Sequence, residues 1–421
     1  MAYRTLKTIF HQRDREGADA EERARRESPA ALHWDLMVGE HSMFALVTPE
    51  VAALIERIMA FEPKIRAEWG ELPERARSHY LRQMVIDEIQ ATNEIEHVRS
   101  TRKEIGEALR ALRSERPATD KRFMEMARLY LGIGQDEAKD PRTLDDVRAL
   151  YDKVTQGEIR DEDAPDGRRF RQGPVSIESG TKVVHTGLVP ESAIDDALTL
   201  MLSQSRDDSI PRLVRVVVAH FIFEYAHPFY DGNGRTGRYL LSLELRQVLA
   251  PYASLALSAT VADNKDRYYR AFADAEHPLN RGDLTPFLTD MLEIIAEAQH
   301  RLLLDLSDLR QKIEALRARL CALVEDQRFP TNVGLDPEVG MSIDRDDIGA
   351  ILFALGQSRY FDADGAVKLH TLADAAERSA QFVRPRLQLL DDAGVIETVT
   401  RKPLRFRLTP RGASLLELVA G

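Results

Sequence analysis

Between residues 227 and 238 the chain reads His-Pro-Phe-Tyr-Asp-Gly-Asn-Gly-Arg-Thr-Gly-Arg, a string able to hold a polyphosphate and attack it. Gly232 and Gly234 let the backbone turn tightly and come close to a ligand, leaving successive N–H groups to form an anion nest. A helix that opens at this point adds its positive end to the attraction. Arg235 and Arg238, three residues apart, share one face of that helix, and two guanidinium forks can hold separate phosphates. Asp231 sets one carboxylate beside the cradle, and a polyphosphate's Mg²⁺ asks for one or two carboxylates besides phosphate oxygens and water. His227, fixed at a helix end by Pro228, can take a proton from an incoming hydroxyl as that oxygen attacks phosphorus.

Competing chemistries have no comparable signal. The chain has no GxxxxGK(S/T) string, no Gly-x-Ser-x-Gly elbow and no kinase catalytic-loop string. Its one cysteine, Cys321, excludes an internal disulfide, and the histidines lack zinc-ligand spacing. A formal net charge of -11 gives no global field toward nucleic acid or an anionic membrane. With no signal-peptide run and no stretch of 18 apolar residues, the expectation is a cytoplasmic protein without a membrane partner.

Periodicity predicts the elements that must position the string. Residues 210–226 are almost continuously apolar and predict a buried helix ending at His227, with a second helix beginning near Arg235. Before them the spacing predicts a helix over 144–154 and a hairpin over 174–185 turning at Ser179-Gly180, the one clear β feature ahead of the C-terminus. Residues 11–27 read as a charged, mobile start. From Pro49 to Arg113 two helical faces emerge: Val51, Leu54, Ile55, Ile58 and Met59, then Leu81, Met84, Val85 and Ile89. Pro117 and the acidic, glycine-containing segment 157–173 interrupt the helical pattern. Helices are expected over 266–275 and 283–292, then one long exposed helix over 293–327, a connector or coiled-coil partner. The turn-rich segment 329–337 marks a boundary. Beyond it, helices over 347–355, 372–378 and 382–393 and a hairpin turning at Lys402-Pro403 predict a winged-helix unit.

The string resembles the Fic signature HxFx(D/E)GNGRxxR at every specified position, and the resemblance extends over roughly residues 120–295. It implies a protein adenylyltransferase, moving AMP from ATP to a protein hydroxyl. His227 would be the general base, Asp231 the Mg²⁺ ligand, and Gly232, Asn233 and Gly234 the anion loop. Arg235 and Arg238 would contact the β and γ phosphates, and Phe229 would anchor the core. The hairpin at 175–185 sits where the family has its target-positioning flap, though a plain structural hairpin reads the same way. Tyr268 and Tyr269 sit where the family passes beside adenine, and core packing would explain them equally well.

Family members with an N-terminal inhibitory helix carry (S/T)xxxE(G/N) upstream. Here Thr92-Asn-Glu-Ile-Glu96-His97 supplies the threonine and the glutamate, with histidine at the sixth position. A carboxylate delivered by Glu96 to Arg238 would remove the cation that orients the γ-phosphate. Glu94 is the nearest competitor, and a solvated charge run is the plainer alternative. Residues 335–421 hold 11 Lys/Arg against 13 Asp/Glu, yet Arg401, Lys402, Arg405, Arg407 and Arg411 form an acid-free run, with Arg384 and Arg386 on the candidate recognition helix. DNA binding and protein docking both fit that strip.

The expected fold is therefore mainly α: an N-terminal helical region (1–115), a Fic helical core with a small β-hairpin flap (116–295), a connector (296–330) and a winged-helix domain (331–421). Expected partners are ATP with Mg²⁺, a target protein at the flap, DNA at the C-terminal unit and a second copy of the chain. The rival readings are transfer of another phosphate-bearing group, removal of AMP by the same site, and a nucleotide-sensing DNA-binding regulator.

Overall fold

The structure, a computed structural model, describes residues 3–112, 122–179, 182–325, 345–361 and 365–418. Two compact units emerge, Met1–Ala67 with Leu81–Leu303, and Glu68–Tyr80 with Leu304–Gly421. Pro117, Gly180 and the turn-rich segment 329–337 lie outside the described residues.

The first unit opens with α1 (Leu6–Gln12) and α2 (Arg15–Arg26). The expected mobile start is thus a helix. Asp14 caps α2 by accepting from the Gly17 N–H at 2.8 Å, Arg25 reaches Asp283 at 2.9 Å, and Arg281 reaches Glu22 at 2.8 Å. Charges that read as a solvated run are fixed in pairs with a distant segment, a partnership that local sequence does not reveal. Strands β1 (Ala31–Val38) and β2 (His41–Leu46) form an antiparallel hairpin, so the 174–185 hairpin is not the one β feature before the C-terminus. Val38 pairs with His41 across Gly39-Glu40, and Gly39 takes φ 60°, the left-handed region that two-residue hairpin turns favour.

Helices α3 (Pro49–Glu71), α4 (Glu74–Ile95) and α5 (Arg102–Ala111) come next. The buried stripe of α3 is Val51, Leu54, Ile58 and Ile65, while Met59 points to solvent at 43% exposure. Beyond them lie α6 (Met124–Gly134) and α7 (Leu144–Val154), the latter opened by a capping box in which Thr143 and Asp146 satisfy each other's backbone N–H. The hairpin β3 (Ser176–Ser179) and β4 (Lys182–Thr186) stands where expected. Then come α8 (Glu191–Gln204), α9 (Arg212–Ala226) and α10 (Asn233–Leu245), with α11 (Leu257–Asp263) and α12 (Lys265–Ala275) after them. Every residue of α9 from Leu213 to Phe223 is buried, Arg215 and His220 included, as its nearly continuous apolar run requires.

The separate helices expected over 283–292 and 293–327 are one, α13 (Thr285–Glu325), 41 residues long. It is not exposed all round, since Leu302, Leu306, Leu309, Ile313 and Leu316 are buried along one side. The second unit holds, in order, α14 (Arg345–Phe361), β5 (Val367–Lys368), α15 (Leu369–Ala375), α16 (Ala380–Asp392), β6 (Ile396–Arg401), β7 (Leu404–Leu408) and α17 (Pro410–Leu415). The strands form a sheet ordered β5-β7-β6 in which Arg401 pairs with Leu404 across Lys402-Pro403. Leu316, Leu320, Ile351, Leu387 and Phe406 share its core.

Candidate active site

His227 caps α9 in the left-handed region (φ 48°, ψ 62°), and α10 starts six residues later. The intervening loop is tied from inside. Asn233 accepts from the Phe229 N–H at 2.9 Å and returns its amide to the Phe229 carbonyl at 2.7 Å. The Phe229 ring is fully buried and stacks on Tyr151 at 3.5 Å. Gly232, at φ 81°, precedes the first turn of α10, and a β-carbon there would press on Thr155. The Gly232 N–H donates to Asp231 at 2.6 Å, while the Asp231 side chain stays 53% exposed.

Arg171 gave no signal in the sequence and does most to fix His227. Fully buried, it donates to the carbonyls of His227 (2.7 Å), Gly173 (2.6 Å), Leu188 (2.9 Å) and Ala226 (3.2 Å). A cation thereby caps carbonyls at the end of α9, the Ala226 one shared with the Leu188 N–H at 3.2 Å, and ties them to the segment leaving the hairpin. His227 Nδ1 donates to the Glu224 carbonyl at 3.3 Å, which leaves Nε2 as the basic nitrogen. Burial above all, then the neighbouring His185 and Arg171, pushes this imidazole down to about 3, so the ring is neutral throughout the physiological range.

Both arginines of the string are buried and both are held by carboxylates. Arg235 pairs with Glu158, which also binds Arg122 at 2.9 Å. Arg238 donates Nη2 to Glu96 at 2.7 Å and Nε to the Thr92 hydroxyl at 2.8 Å, with a third bond to the Thr92 carbonyl at 3.1 Å. Burial alone would lower this guanidinium, but Glu96, Tyr268 and Glu224 hold it above its usual range. A β-carbon at Gly234 would run into Glu96 Oε1, so the Glu96 carboxylate lies against the glycine at the start of α10. Glu94, the competitor, is exposed. Helix α4 ends just ahead of Glu96 in a two-bond turn, Val98 N–H to Asn93 carbonyl at 2.8 Å and His97 N–H to Glu94 carbonyl at 3.1 Å. His97 therefore takes the left-handed φ of 57°, where glycine or asparagine sits more easily. Lys265 from α12 secures the same end by donating to the Ile95 carbonyl at 3.0 Å.

Residues 141–245 match the Fic/DOC family. This chain carries a Fic domain. Protein adenylyltransferase Fic of Drosophila grimshawi is 28% identical over 198 residues, covering 46% of this chain and 36% of that protein. Protein adenylyltransferase fic-1 of Caenorhabditis elegans is 27% identical over 151 residues, 35% of this chain and 26% of its own length. The chain thus spans well under half the length of these curated relatives. A solved Fic family protein from Desulfovibrio desulfuricans G20 aligns with 86% of this chain and 97% of its own at TM-score 0.49 and 22% identity.

Around the Fic domain the tyrosine pair divides. Tyr268 is 2% exposed and bonded through its hydroxyl to His220 at 2.8 Å, which places it in the core. Tyr269 is 42% exposed, and burial of its hydroxyl, then Glu96, pushes it up to about 12. Glu224 is buried against Gly237, and burial raises its carboxyl to about 8. Among the described residues no group of three or more His, Cys, Asp or Glu side chains is placed to hold a metal. Likewise no described helix is long and apolar enough to cross a membrane.

In the second unit, Arg386 is 4% exposed, covers the Phe382 ring at 3.5 Å and lies 3.4 Å from Asp347. The recognition-helix cation expected there is therefore turned inward, and Arg384 is the exposed one. Arg407 pairs with Glu397 at 2.5 Å and Arg405 donates to the Ala366 carbonyl at 2.8 Å, while Arg401 and Lys402 are exposed at the turn.

Proposed function

We propose that the chain transfers AMP from ATP to a hydroxyl side chain of a target protein, and that Glu96 restrains it. One observation carries the reading: a neutral, fixed imidazole stands at a loop that opens a helix whose Arg238 is held by a carboxylate from outside the Fic domain match. The names of the curated relatives support the activity, and the Arg238–Glu96 pair supports the restraint.

In this reading the triphosphate enters over Gly232 to Gly234 and takes Arg238 in place of Glu96. His227 Nε2 removes the acceptor hydroxyl's proton, oxygen attacks the α-phosphorus, and pyrophosphate leaves. Asp231 would hold the Mg²⁺ that arrives with the nucleotide and neutralises phosphate charge. A single exposed carboxylate fits a metal whose other ligands are phosphate oxygens and water. Of the tyrosines, Tyr269 is the one with a face for the base. The target docks at the β3–β4 hairpin, where Ile177 is 40% exposed and the sheet has two strands, so an extended peptide can add a third.

The second unit is proposed as a winged helix whose turn at Arg401-Lys402 meets DNA. A cytoplasmic location is part of the proposal, supported by a free, exposed Cys321. Self-association is left to sedimentation of the purified chain. The deciding experiment incubates the full chain and a lysate with ATP labelled at the α or the γ position. Label on protein from the α position alone is expected; label from γ alone would replace AMP transfer by phosphoryl transfer.

A further inference from the structure

The hairpin brings a second imidazole to the site. His185, on β4, is buried at 8% exposure, and its ring centroid lies 5.4 Å from that of His227. Its Nδ1 is 2.6 Å from Glu276 Oε2, just past the end of α12, a carboxylate that fixes the proton on Nδ1. The remaining nitrogen, Nε2, is buried without a hydrogen-bond partner among the described residues. Of the other polar groups near this pair, Tyr225 and Arg171 are engaged elsewhere. Tyr225, 5.9 Å away, accepts from the Gly39 N–H, Arg171 is spent on four carbonyls, and the Glu224 carboxyl lies against Gly237.

We propose that Glu276 and His185 form a relay behind His227: His185 positions the base and takes over the proton that His227 removes from the acceptor hydroxyl. The proposal rests on the AMP-transfer reading. The acceptor O–H bond breaks and its proton goes to His227 Nε2; the O–P bond forms as the bond to pyrophosphate breaks. His227 then passes one proton to His185 Nε2, whose Nδ1–H remains on Glu276, and the proton leaves for solvent when the site opens to release its products. The step answers a need of the site. A buried imidazole pushed down to about 3 holds a proton poorly, and its Nδ1 faces a backbone carbonyl instead of a carboxylate. His185 offers beside it an Nε2 unpartnered among the described residues, and its own Nδ1–H is held by the Glu276 carboxylate. Since His185 belongs to the hairpin, the relay also links the base to the segment proposed to seat the target.

The test uses the full chain with α-labelled ATP. His185→Gln keeps a polar side chain of similar reach but cannot carry a proton, and is expected to lower kcat about ten- to hundred-fold with KM for ATP unchanged. Glu276→Gln is expected to lose less. His185→Ala should lose as much as Gln and regain rate on addition of free imidazole, which a packing role would not allow. Wild-type kcat in His185→Gln, or loss in His185→Ala that imidazole does not restore, overturns the relay. Nitrogen NMR of His227 needs no turnover and separates this proposal from the AMP-transfer reading. A shift of its ring signals in His185→Gln supports the contact even if no α label is transferred, and unmoved signals overturn it.

Discussion

In the proposed reaction His227 and Arg171 divide the work at the smallest scale, one ring as the base and one guanidinium holding the backbone that aims it. His227→Ala should abolish transfer of α label while leaving binding of Mg-ATP nearly intact, because the base acts on the acceptor; undiminished labelling would remove the role. Because the ring is depressed to about 3, it stays unprotonated from pH 8 down to pH 5, and the transfer rate should show no His227 limb near 6.5. Arg171→Ala exposes a different dependence. It leaves the carbonyls of Gly173, Leu188 and His227 without this donor and the Ala226 carbonyl with the Leu188 N–H alone, so stability should fall by about 3 kcal/mol, read by denaturant unfolding. The two residues differ as much in legibility. His227 stands in a string whose spacing declares it, whereas Arg171 acts through backbone carbonyls that only the folded chain assembles.

At the scale of elements, the proposed restraint hangs just beyond the end of α4, and that end is where the sequence departs from the expected pattern. Glu96→Gly should raise α-label transfer about ten-fold or more, since a charge-assisted bond to buried Arg238 is worth about 1.5 to 3 kcal/mol. Position 97 gives the opposite lever. His97→Gly relaxes a left-handed residue, should stabilise the chain by about 0.5 to 1 kcal/mol and should depress basal transfer by holding Glu96 more firmly. Transfer that rises in His97→Gly would mean that the turn does not aim Glu96. Two turns back on α4, Glu88 is buried, bonded to the Ser258 N–H at 2.8 Å and its hydroxyl at 2.6 Å, and raised by burial to about 7. A carboxyl raised on folding binds its proton more tightly in the native state, so stability is full below the unfolded value near 4.5 and declines as pH climbs through 7. Glu88→Gln should flatten that decline, measured as unfolding free energy at pH 5, 6, 7 and 8. The helices that house the site were legible because α7 and α12 each bury a periodic apolar face and α9 is apolar almost throughout. The features that escaped were decided by distant partners: α2 exists through ion pairs to residues 281 and 283, and β1–β2 announces itself by little more than Gly39.

Over the whole molecule, a formal charge of -11 means that any affinity for DNA must come from one local strip. The structure divides the arginines that sequence grouped together. Arg405 and Arg407 hold the β5-β7-β6 sheet through Ala366 and Glu397, and Arg386 is inside, which leaves Arg384 on α16, Arg401 and Lys402 at the turn and Arg411 on α17 as exposed cations of that set. Phosphate contacts from three of these, Arg384, Arg401 and Lys402 on the proposed recognition helix and turn, predict that log K for duplex binding falls against log salt with a slope of about -3. Replacing Arg401 and Lys402 by Ala should bring that slope to about -1 without changing the melting temperature. Arg405→Ala with Arg407→Ala should do the reverse, lowering the melting temperature of the sheet while leaving the slope of the folded fraction near -3. Absence of duplex retention at low salt would remove DNA from the partners of this chain. A slope that collapses on loss of Arg405 and Arg407, but not of Arg401 and Lys402, would place the contact on the face of the sheet instead of at its turn.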